Sequence, residues 1–300
     1  MRTILFRAAC VTLLLSLLPA VKAQTVTAAE AIQRIEQRYA PALPQNTVDT
    51  IKAGDASTRV TGIVTTFLDT MDVLREANRL GANLVITHEP TFYNHLDDTS
   101  FFANDPVYRE KLEYVQQHHM VVFRLHDGIH SASPDPVATA LIQELGWKTY
   151  TKSTSPFLLT IPQTTLLQLS RDLASKLNAQ TLRVVGDANL QVTHLGLVPG
   201  AAGLQMQVQA LRRDDVEVLL VGESAEWEAI EYVRDAVAQG RHKALILLGH
   251  EVSEEAGMKQ CAEDIRPLFP SLKVTHVSAQ QPLWLPTNPP SSKPRTKPVD

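Results

Sequence analysis

Histidine and carboxylate side chains follow three hydrophobic runs of this sequence. The runs are NLVIT, MVVFRL and KALILLG, and each is typical of a buried strand. Because the carboxyl ends of parallel strands open onto one edge of a sheet, side chains distant in sequence can meet there. Imidazole nitrogen and carboxylate oxygen are ligands that zinc, manganese, iron and nickel accept. The convergence therefore predicts a metal site, and the candidates outnumber the ligands of one tetrahedral ion. They are His88, Glu89, His126, Asp127, His130, His250 and Glu254.

The spacing within two of these segments favours metal binding. In HDGIH, Gly128 permits a tight turn, so two imidazoles four residues apart can point to the same place. In GHEVSEE, we expect Ser253 to cap a helix and Glu254 to lie in its first turn. The helix dipole there favours the ionised carboxylate that a cation requires, and such a carboxylate could bridge two ions.

Each candidate also has an ordinary interpretation when it is taken alone. A histidine at a strand end is usually a hydrogen-bonded loop residue, Glu254 an acid at a helix start, and Asp127 a turn residue. His95, in YNHLDD, lies seven residues after His88 and could contact a substrate instead of serving as a loop residue. The three segments taken together favour a metal site over these alternatives.

Several other classes of protein are excluded by the sequence. It contains neither the Gly-x-Ser-x-Gly elbow of a serine hydrolase nor a Gly-Lys phosphate loop. Only Cys261 remains beyond the first 23 residues, so thiolate clusters are excluded and we expect a small core residue. Removing Arg2, Arg7 and Lys22 from 28 basic residues leaves 25 against 32 acidic ones, a formal charge of −7. That charge argues against nucleic acid as a partner.

The two ends of the chain differ from its middle. Two arginines precede the apolar run AACVTLLLSLLPAV, and Val-Lys-Ala follows, so we interpret residues 1–23 as a signal peptide cleaved after Ala23. The apolar run is shorter than the ~20 residues of a membrane span. We therefore expect an exported protein, periplasmic or secreted, with no membrane association after cleavage. Residues 286–300 hold five prolines and predict a disordered tail.

Strand-like and helical segments alternate from Arg59 onward, beginning with RVTGIVTTF, DTMDVLREANRLGA and NLVIT. This order predicts right-handed crossovers and an α/β fold with a mostly parallel sheet. Asp69, Asp105 and Asp135 stand near the expected helix starts. The pattern restarts after STSP near residue 154, which indicates a domain boundary there.

Four segments of the chain resemble the dinuclear-metal-centre family of NGG-interacting factor three-like proteins, whose bacterial members are labelled GTP cyclohydrolase I type 2. These segments are VTGIVTTFLDTMDVLREANRLGANLVITHEP, HDGIHSASPDPVATALIQELG, RVVGDANLQVTHLGLVPGAAG and GHEVSEEAG. The resemblance implies two similar α/β domains with mostly parallel mixed sheets and a metal site at the strand ends between them. It implies domains over 24–153 and 154–243. A strand-helix-strand segment over 244–285 would return to the first domain and complete the metal site.

The family's metal motifs fall on this chain with two departures. Its His-His pair corresponds to His88 and Glu89, and its His-x-x-x-Asp loop ends here at His130. Its closing His-x-x-x-Glu falls unchanged on His250 and Glu254. One imidazole and one carboxylate have therefore exchanged places. The ligands implied by the resemblance are His88, Glu89, His130, His250 and Glu254. Asp127 is a second possible carboxylate ligand, or orients His126 or His130.

The resemblance also implies a function. Two divalent ions (zinc, manganese, iron or nickel), about 3.5–4 Å apart, would share a hydroxide that attacks an electrophilic centre of a small-molecule substrate. His126 would carry protons, with Asp127 beside it. The predicted activity is a metal-dependent hydrolase of unknown substrate, assembled as a homo-oligomer, by resemblance a hexameric ring. GTP does not suit an exported protein. The alternative is a non-catalytic metal-binding or scaffold protein.

Overall fold

The structure is a computed structural model that describes residues 25–39, 43–152, 155–287 and 289. The predicted signal peptide, residues 1–23, lies outside this part of the chain, as does the predicted tail apart from residues 286, 287 and 289. Among the helices described, none is long and apolar enough to cross a bilayer.

Helices and strands alternate along most of the described chain. The α-helices are α1 (Ala28–Tyr39), α2 (Met71–Arg79), α3 (Pro106–Gln117), α4 (Asp127–Ser131), α5 (Pro136–Glu144), α6 (Leu166–Lys176), α7 (Gly203–Leu211), α8 (Glu231–Ala238) and α9 (His250–Ile265). The strands are β1 (Ile51–Ala53), β2 (Ile63–Thr66), β3 (Leu84–Thr87), β4 (Val121–Arg124), β5 (Thr151–Lys152), β6 (Ser155–Thr165), β7 (Arg183–Val185), β8 (Gln191–Val198), β9 (Val218–Val221), β10 (Ala244–Leu247) and β11 (Val274–His276).

The strands form two mixed sheets. The five-stranded sheet has the order β1-β4-β3-β2-β11, and its pairs are parallel except that β1 runs antiparallel to β4. The six-stranded sheet has the order β5-β6-β8-β9-β10-β7, in which β8, β9 and β10 are parallel and the outer strands antiparallel. The predicted α/β fold with two mixed sheets is confirmed.

Helices cover both faces of each sheet. Helices α1 and α9 pack on one face of the five-stranded sheet, and α2 and α3 pack on the other. Helices α5 and α6 cover one face of the six-stranded sheet, with α7 and α8 on its opposite face. Strands β2, β3, β4, β9 and β10 are consequently buried along their whole length. This burial accounts for the continuous apolar runs that end in polar residues.

Helix α9 connects the two sheets. Strand β10 pairs within the six-stranded sheet, and α9 begins two residues after β10 ends. The helix packs on α5, where a Cβ at Gly257 would lie 2.9 Å from Val137 Cα, and on β2 of the five-stranded sheet. Strand β11 then adds to β2 in parallel. His250 and Glu254, near the start of α9, therefore lie where the two sheets meet, while the exact domain boundaries stay a prediction.

One of the expected helix starts is wrong. Helix α9 begins at His250, because Gly249 adopts φ +102° and leads from β10 directly into the helix. Ser253 is thus the fourth residue of the helix, where its hydroxyl donates to His250 O at 2.7 Å. Glu254 is the fifth residue, so it lies just beyond the first turn in which it was expected. Asp69 lies just before the start of α2, as expected, and Thr70 caps that helix. The Asp69 side chain is buried 3.4 Å from Lys111, so this acid forms an interior ion pair.

The expectations for Asp105, Asp135 and Cys261 agree with the structure. Asp105 caps α3 and Asp135 caps α5, each through a side-chain oxygen that accepts two backbone N–H groups. Cys261 is fully buried in α9, within the core shared with α1. Burial raises the pKa of its thiol to about 12. Cys261 is therefore a core residue and not a nucleophile.

Candidate metal centre

Nitrogen and oxygen donors of six residues lie close together beyond the ends of β3 and β4 and at the start of α9. The distances are 3.2 Å between His130 Nε2 and His88 Nε2, 3.4 Å between His88 Nε2 and Glu254 Oε2, 3.1 Å between Glu254 Oε2 and His250 Nε2, 3.4 Å between His250 Nε2 and Glu89 Oε1, and 3.7 Å between Glu89 Oε1 and His126 Nε2. The structure therefore brings the five predicted ligands together with His126.

Local secondary structure explains this convergence. Strands β3 and β4 are parallel neighbours in register, with Thr87 opposite Arg124. The residues just beyond them, including His88 and His126, therefore leave the same edge of the sheet. His250 and Glu254 are four residues apart in α9 and thus share one face of the helix. The predicted His-x-x-x-Glu pair is a single helical turn aimed at the ends of β3 and β4.

Three of the imidazoles are anchored through Nδ1. His88 Nδ1 lies 3.0 Å from the carbonyl oxygen of Leu125, which can only accept a hydrogen bond. His130 Nδ1 lies 2.8 Å from Asp135 Oδ2, and His126 Nδ1 lies 3.0 Å from Asp127 Oδ1. Each Nδ1 therefore carries the proton, which leaves the Nε2 lone pair facing the other donors. This is the arrangement by which metal-binding histidines are oriented in proteins.

The donor separations fit a divalent ion. Ligands about 2.1 Å from an ion at the tetrahedral angle lie about 3.4 Å apart, and the contacts above range from 3.1 to 3.7 Å. Glu254 Oε2 is buried and, among the described residues, has no aligned hydrogen-bond donor despite the two nearby Nε2 atoms. A buried carboxylate oxygen without a donor is costly unless a cation completes it. Two sets of three donors lie within 4.8 Å of one another: His88, His126 and His130, and His88, Glu89 and Glu254.

Two buried carboxylates, Glu89 and Glu254, make the electrostatic field of the cluster negative. Burial alone would raise the pKa of Glu254, but His88 and His250 outweigh it and hold that pKa well below its usual range. Burial would lower the pKa of His250, but Glu254 and Glu89 outweigh it and raise that pKa to about 10. The same negative field that favours a proton on His250 would attract a divalent cation.

Asp127 lies beside the cluster and orients His126. Its Oδ1 accepts from His126 Nδ1, while its Oδ2 accepts from the Thr47 hydroxyl at 2.9 Å and from Val48 N at 3.1 Å. Both oxygens are thus engaged away from the donors. Of the two roles that the sequence left open for Asp127, this geometry supports orientation of His126. Burial lowers the pKa of His126, so its imidazole is neutral and can accept a proton.

Three supporting residues were missed or only half understood from the sequence. Arg124 is a fully buried arginine at the end of β4 that pairs with Glu89 at 3.4 Å. Its only signal is a cation in the otherwise apolar run MVVFRL. Asp49 accepts from the backbone N–H groups of residues 126, 127 and 128 and so fixes the start of α4. Asp135 was expected only as a helix cap.

Two further side chains border the donors. The ring of His95 lies 5.8 Å from the ring of His126, between centroids, on the segment that follows β3. Glu223, beyond the end of β9, places Oε1 3.8 Å from His250 Nδ1. The second sheet therefore also contributes to the border of the centre.

Comparison with known proteins agrees with this architecture. A family model described as Duf34/NIF3 (NGG1p interacting factor 3) matches residues 26–282. Protein SA1388 of Staphylococcus aureus is 18% identical, with a TM-score of 0.67 over 87% of this chain and 99% of that chain. A Bacillus cereus protein related to NIF3 is 16% identical, with a TM-score of 0.69 over 86% and 98% of the two chains. Protein ybgI, of unknown function, is 20% identical, with a TM-score of 0.69 over 86% and 100%. These likenesses concern the fold, and no curated protein matches the chain.

Proposed function

The chain belongs to the Duf34/NIF3 family, and from this membership and the donor cluster we propose that it binds two divalent metal ions and hydrolyses a small molecule. The observation that carries the proposal is the buried Glu254 carboxylate, which lies within 3.4 Å of His88 Nε2 and 3.1 Å of His250 Nε2. A single carboxylate shared by two imidazoles from different parts of the chain suits a bridging ligand.

The donors divide into two groups that share Glu254. His88 and His130 form one group with it, because their Nε2 atoms are 3.2 Å apart. His250 and Glu89 form the second group, with 3.4 Å between Nε2 and Oε1. Each group mixes imidazole and carboxylate, a chemistry that zinc, manganese, iron and nickel all accept. We assign one ion to each group.

Hydrolysis is favoured over a purely structural site because the cluster is open on one side. The side chains of His126, His130 and His250 keep 24, 27 and 21% of their surface exposed, so a substrate can reach the donors. Two bound ions would supply Lewis acidity and activate water. His126, held by Asp127 and neutral, would accept a proton at Nε2 and could then pass it on. A structural metal site would fill its coordination positions with protein ligands, whereas each group here offers three donors and leaves a position for water or substrate.

Elemental analysis of residues 24–300 tests metal binding. We expect two equivalents per chain after incubation with zinc or manganese. Glu254→Gln should lose both, because both groups use it, and Glu89→Ala should lose one. Glu226→Gln is the control, since Glu226 forms an exposed ion pair with Arg183 and should keep both equivalents. A wild-type protein that binds no metal would refute the proposal.

Activity is tested separately on metal-loaded protein. Phosphoester, amide and cyclic-amidine substrates should be screened with wild type and with His126→Gln. A hydrolase should turn over at least one class, and His126→Gln should lower kcat while it retains both metal equivalents. If all classes are inert and both ions are coordinatively saturated, the protein is a metal-binding scaffold.

We further propose that the mature chain is exported and assembles as a homo-oligomer, by family resemblance a hexamer. The support for export is the signal-like composition of residues 1–23. A mature protein that begins at Gln24 in the periplasm or medium, and light scattering at six chain masses, would be the expected results. An uncleaved cytoplasmic monomer would refute both.

A further inference from the structure

Arg124 is the last residue of β4, and its guanidinium group lies beside the donor cluster. We propose that Arg124 is a positioning residue: it fixes Glu89 as a ligand through one oxygen and holds the His95 segment beside the centre. The inference rests on the proposed metal binding and assigns Arg124 a role within it.

The burial of Arg124 is complete, and each branch of its guanidinium has a partner. Its Nε donates to the carbonyl oxygen of His88 at 3.1 Å, and Nη1 donates to the carbonyl oxygen of His95. Nη2 donates to Glu89 Oε2 at 3.4 Å. Asp97 Oδ2, 3.7 Å from Nη1, adds a counter-charge from the same segment as His95. The planar guanidinium group holds several N–H donors in fixed directions and can bind all of these acceptors at once, whereas the single ammonium group of a lysine could not.

The contact with Glu89 selects which of its oxygens can bind metal. Oε2 is occupied by the guanidinium, so Oε1 alone faces His250 Nε2 at 3.4 Å and His126 Nε2 at 3.7 Å. The Glu89 side chain is also only 12% exposed, so most of it is withdrawn from solvent. We therefore expect single-oxygen ligation by Glu89, with Arg124 setting its direction.

The contact with His95 links the same cation to the open side of the cluster. The carbonyl of His95 is held by Nη1, while its ring lies 5.8 Å from the ring of His126. Displacement of the guanidinium would therefore release the ligand and the His95 segment together. A cation that only neutralised Asp97 would not need contacts with Glu89 and with two carbonyl groups.

A double-mutant cycle tests this role through metal affinity, measured by competition with a chromophoric chelator. Arg124→Gln and Glu89→Gln should each weaken binding of one metal equivalent, by about 10- to 100-fold for Arg124→Gln. The double variant should be no weaker than Glu89→Gln alone, because Arg124 acts through that carboxylate. Arg124→Lys should give an intermediate loss, and it replaces Arg124→Gln in the cycle if the latter does not fold.

Lys111→Gln is the matched control. Lys111 is another buried cation that donates to a carbonyl of the same segment, Thr91 O at 2.7 Å, and pairs with Asp69. This variant should lose stability while it keeps wild-type metal affinity. The role of Arg124 would be overturned, and the proposed metal binding kept, if Arg124→Gln left metal affinity unchanged. The same would follow if the affinity losses of the two single variants multiplied in the double variant. A wild type without bound metal would overturn the proposed function and this inference together.

Discussion

At the scale of single residues, the centre depends on groups that hold imidazoles as much as on the imidazoles themselves. His88 is anchored by a backbone carbonyl, whereas His126 and His130 are anchored by the carboxylates of Asp127 and Asp135. A carboxylate partner makes the imidazole a better ligand and fixes its orientation. His130 therefore depends on Asp135 for both its direction and its basicity.

Asp135→Asn isolates this dependence. Asp135 Oδ1 caps α5 and its Oδ2 accepts from His130, so an asparagine preserves the cap and removes the charge beside the imidazole. We expect metal affinity to fall by about 10- to 100-fold, with little change in the thermal stability of the metal-free protein. Chelator competition and a thermal melt measure the two effects.

Asp105→Asn is the matched control for that variant. Asp105 caps α3 through the same Asp-Pro arrangement, but it makes no contact with a histidine in the described structure. Its metal affinity should equal that of wild type. Equal metal affinities for Asp135→Asn and wild type would show that His130 needs no charged partner.

At the scale of elements, hydrophobic runs predicted the strands well because burial on both faces leaves a continuous apolar signal. NLVIT, MVVFRL and KALILLG became β3, β4 and β10, and the donors follow their ends as expected. The helix start at Ser253 was wrong because the sequence pattern could not show that Gly249 adopts a positive φ. A serine in a first turn and a serine at a cap look alike in sequence.

The residues that support the donors could not be predicted from the sequence, for a different reason. Arg124 and Asp49 act on residues that are far from them in the chain or on another strand. Such pairings depend on the register of β4 with β3 and with β1, which no local pattern encodes. The proposed ligands could be named from the sequence because they form motifs, whereas the partners that orient them are defined only by the fold.

The contact between the end of β8 and α9 provides a test at this scale. Gly200 adopts φ +69°, and a Cβ there would overlap Glu254 Oε1. Its N–H also donates to Ser253 Oγ at 3.0 Å. Gly200→Ala should therefore displace the Glu254 carboxylate and lower metal affinity by at least about tenfold, the lower end of the range for groups that support metal ligands. The measurement is again chelator competition.

Gly146→Ala separates this clash from backbone strain. Gly146 has nearly the same conformation, φ +71°, and its Cβ position has no atom within 4 Å from the described residues other than its chain neighbours. Both variants should lose about 1–2 kcal/mol because alanine disfavours positive φ. Only Gly200→Ala should lose metal. Equal metal affinities in the two variants would show that Glu254 tolerates the added methyl group.

At the scale of the whole molecule, the donors come from segments that are far apart in the chain. His88, Glu89, His126 and His130 follow strands of the five-stranded sheet, while His250 and Glu254 begin the helix that leaves the six-stranded sheet. Each proposed ion group contains a donor from both sources, because Glu254 joins His88 on one side and Glu89 accompanies His250 on the other. Metal would thus fasten α9 to the ends of β3 and β4.

Metal removal should therefore destabilise the entire protein and not only its site. An ion present at 100 times its dissociation constant stabilises the folded state by about 2.7 kcal/mol per site, which corresponds to a Tm increase of about 5–10 °C in a chain of this size. We expect treatment with a chelator to lower Tm and readdition of zinc or manganese to restore it. Glu254→Gln should respond to neither treatment, since it lacks the shared ligand. An equal response in Glu254→Gln would place the stabilising ion elsewhere, because only a site that uses this carboxylate can join α9 to the five-stranded sheet in the way proposed.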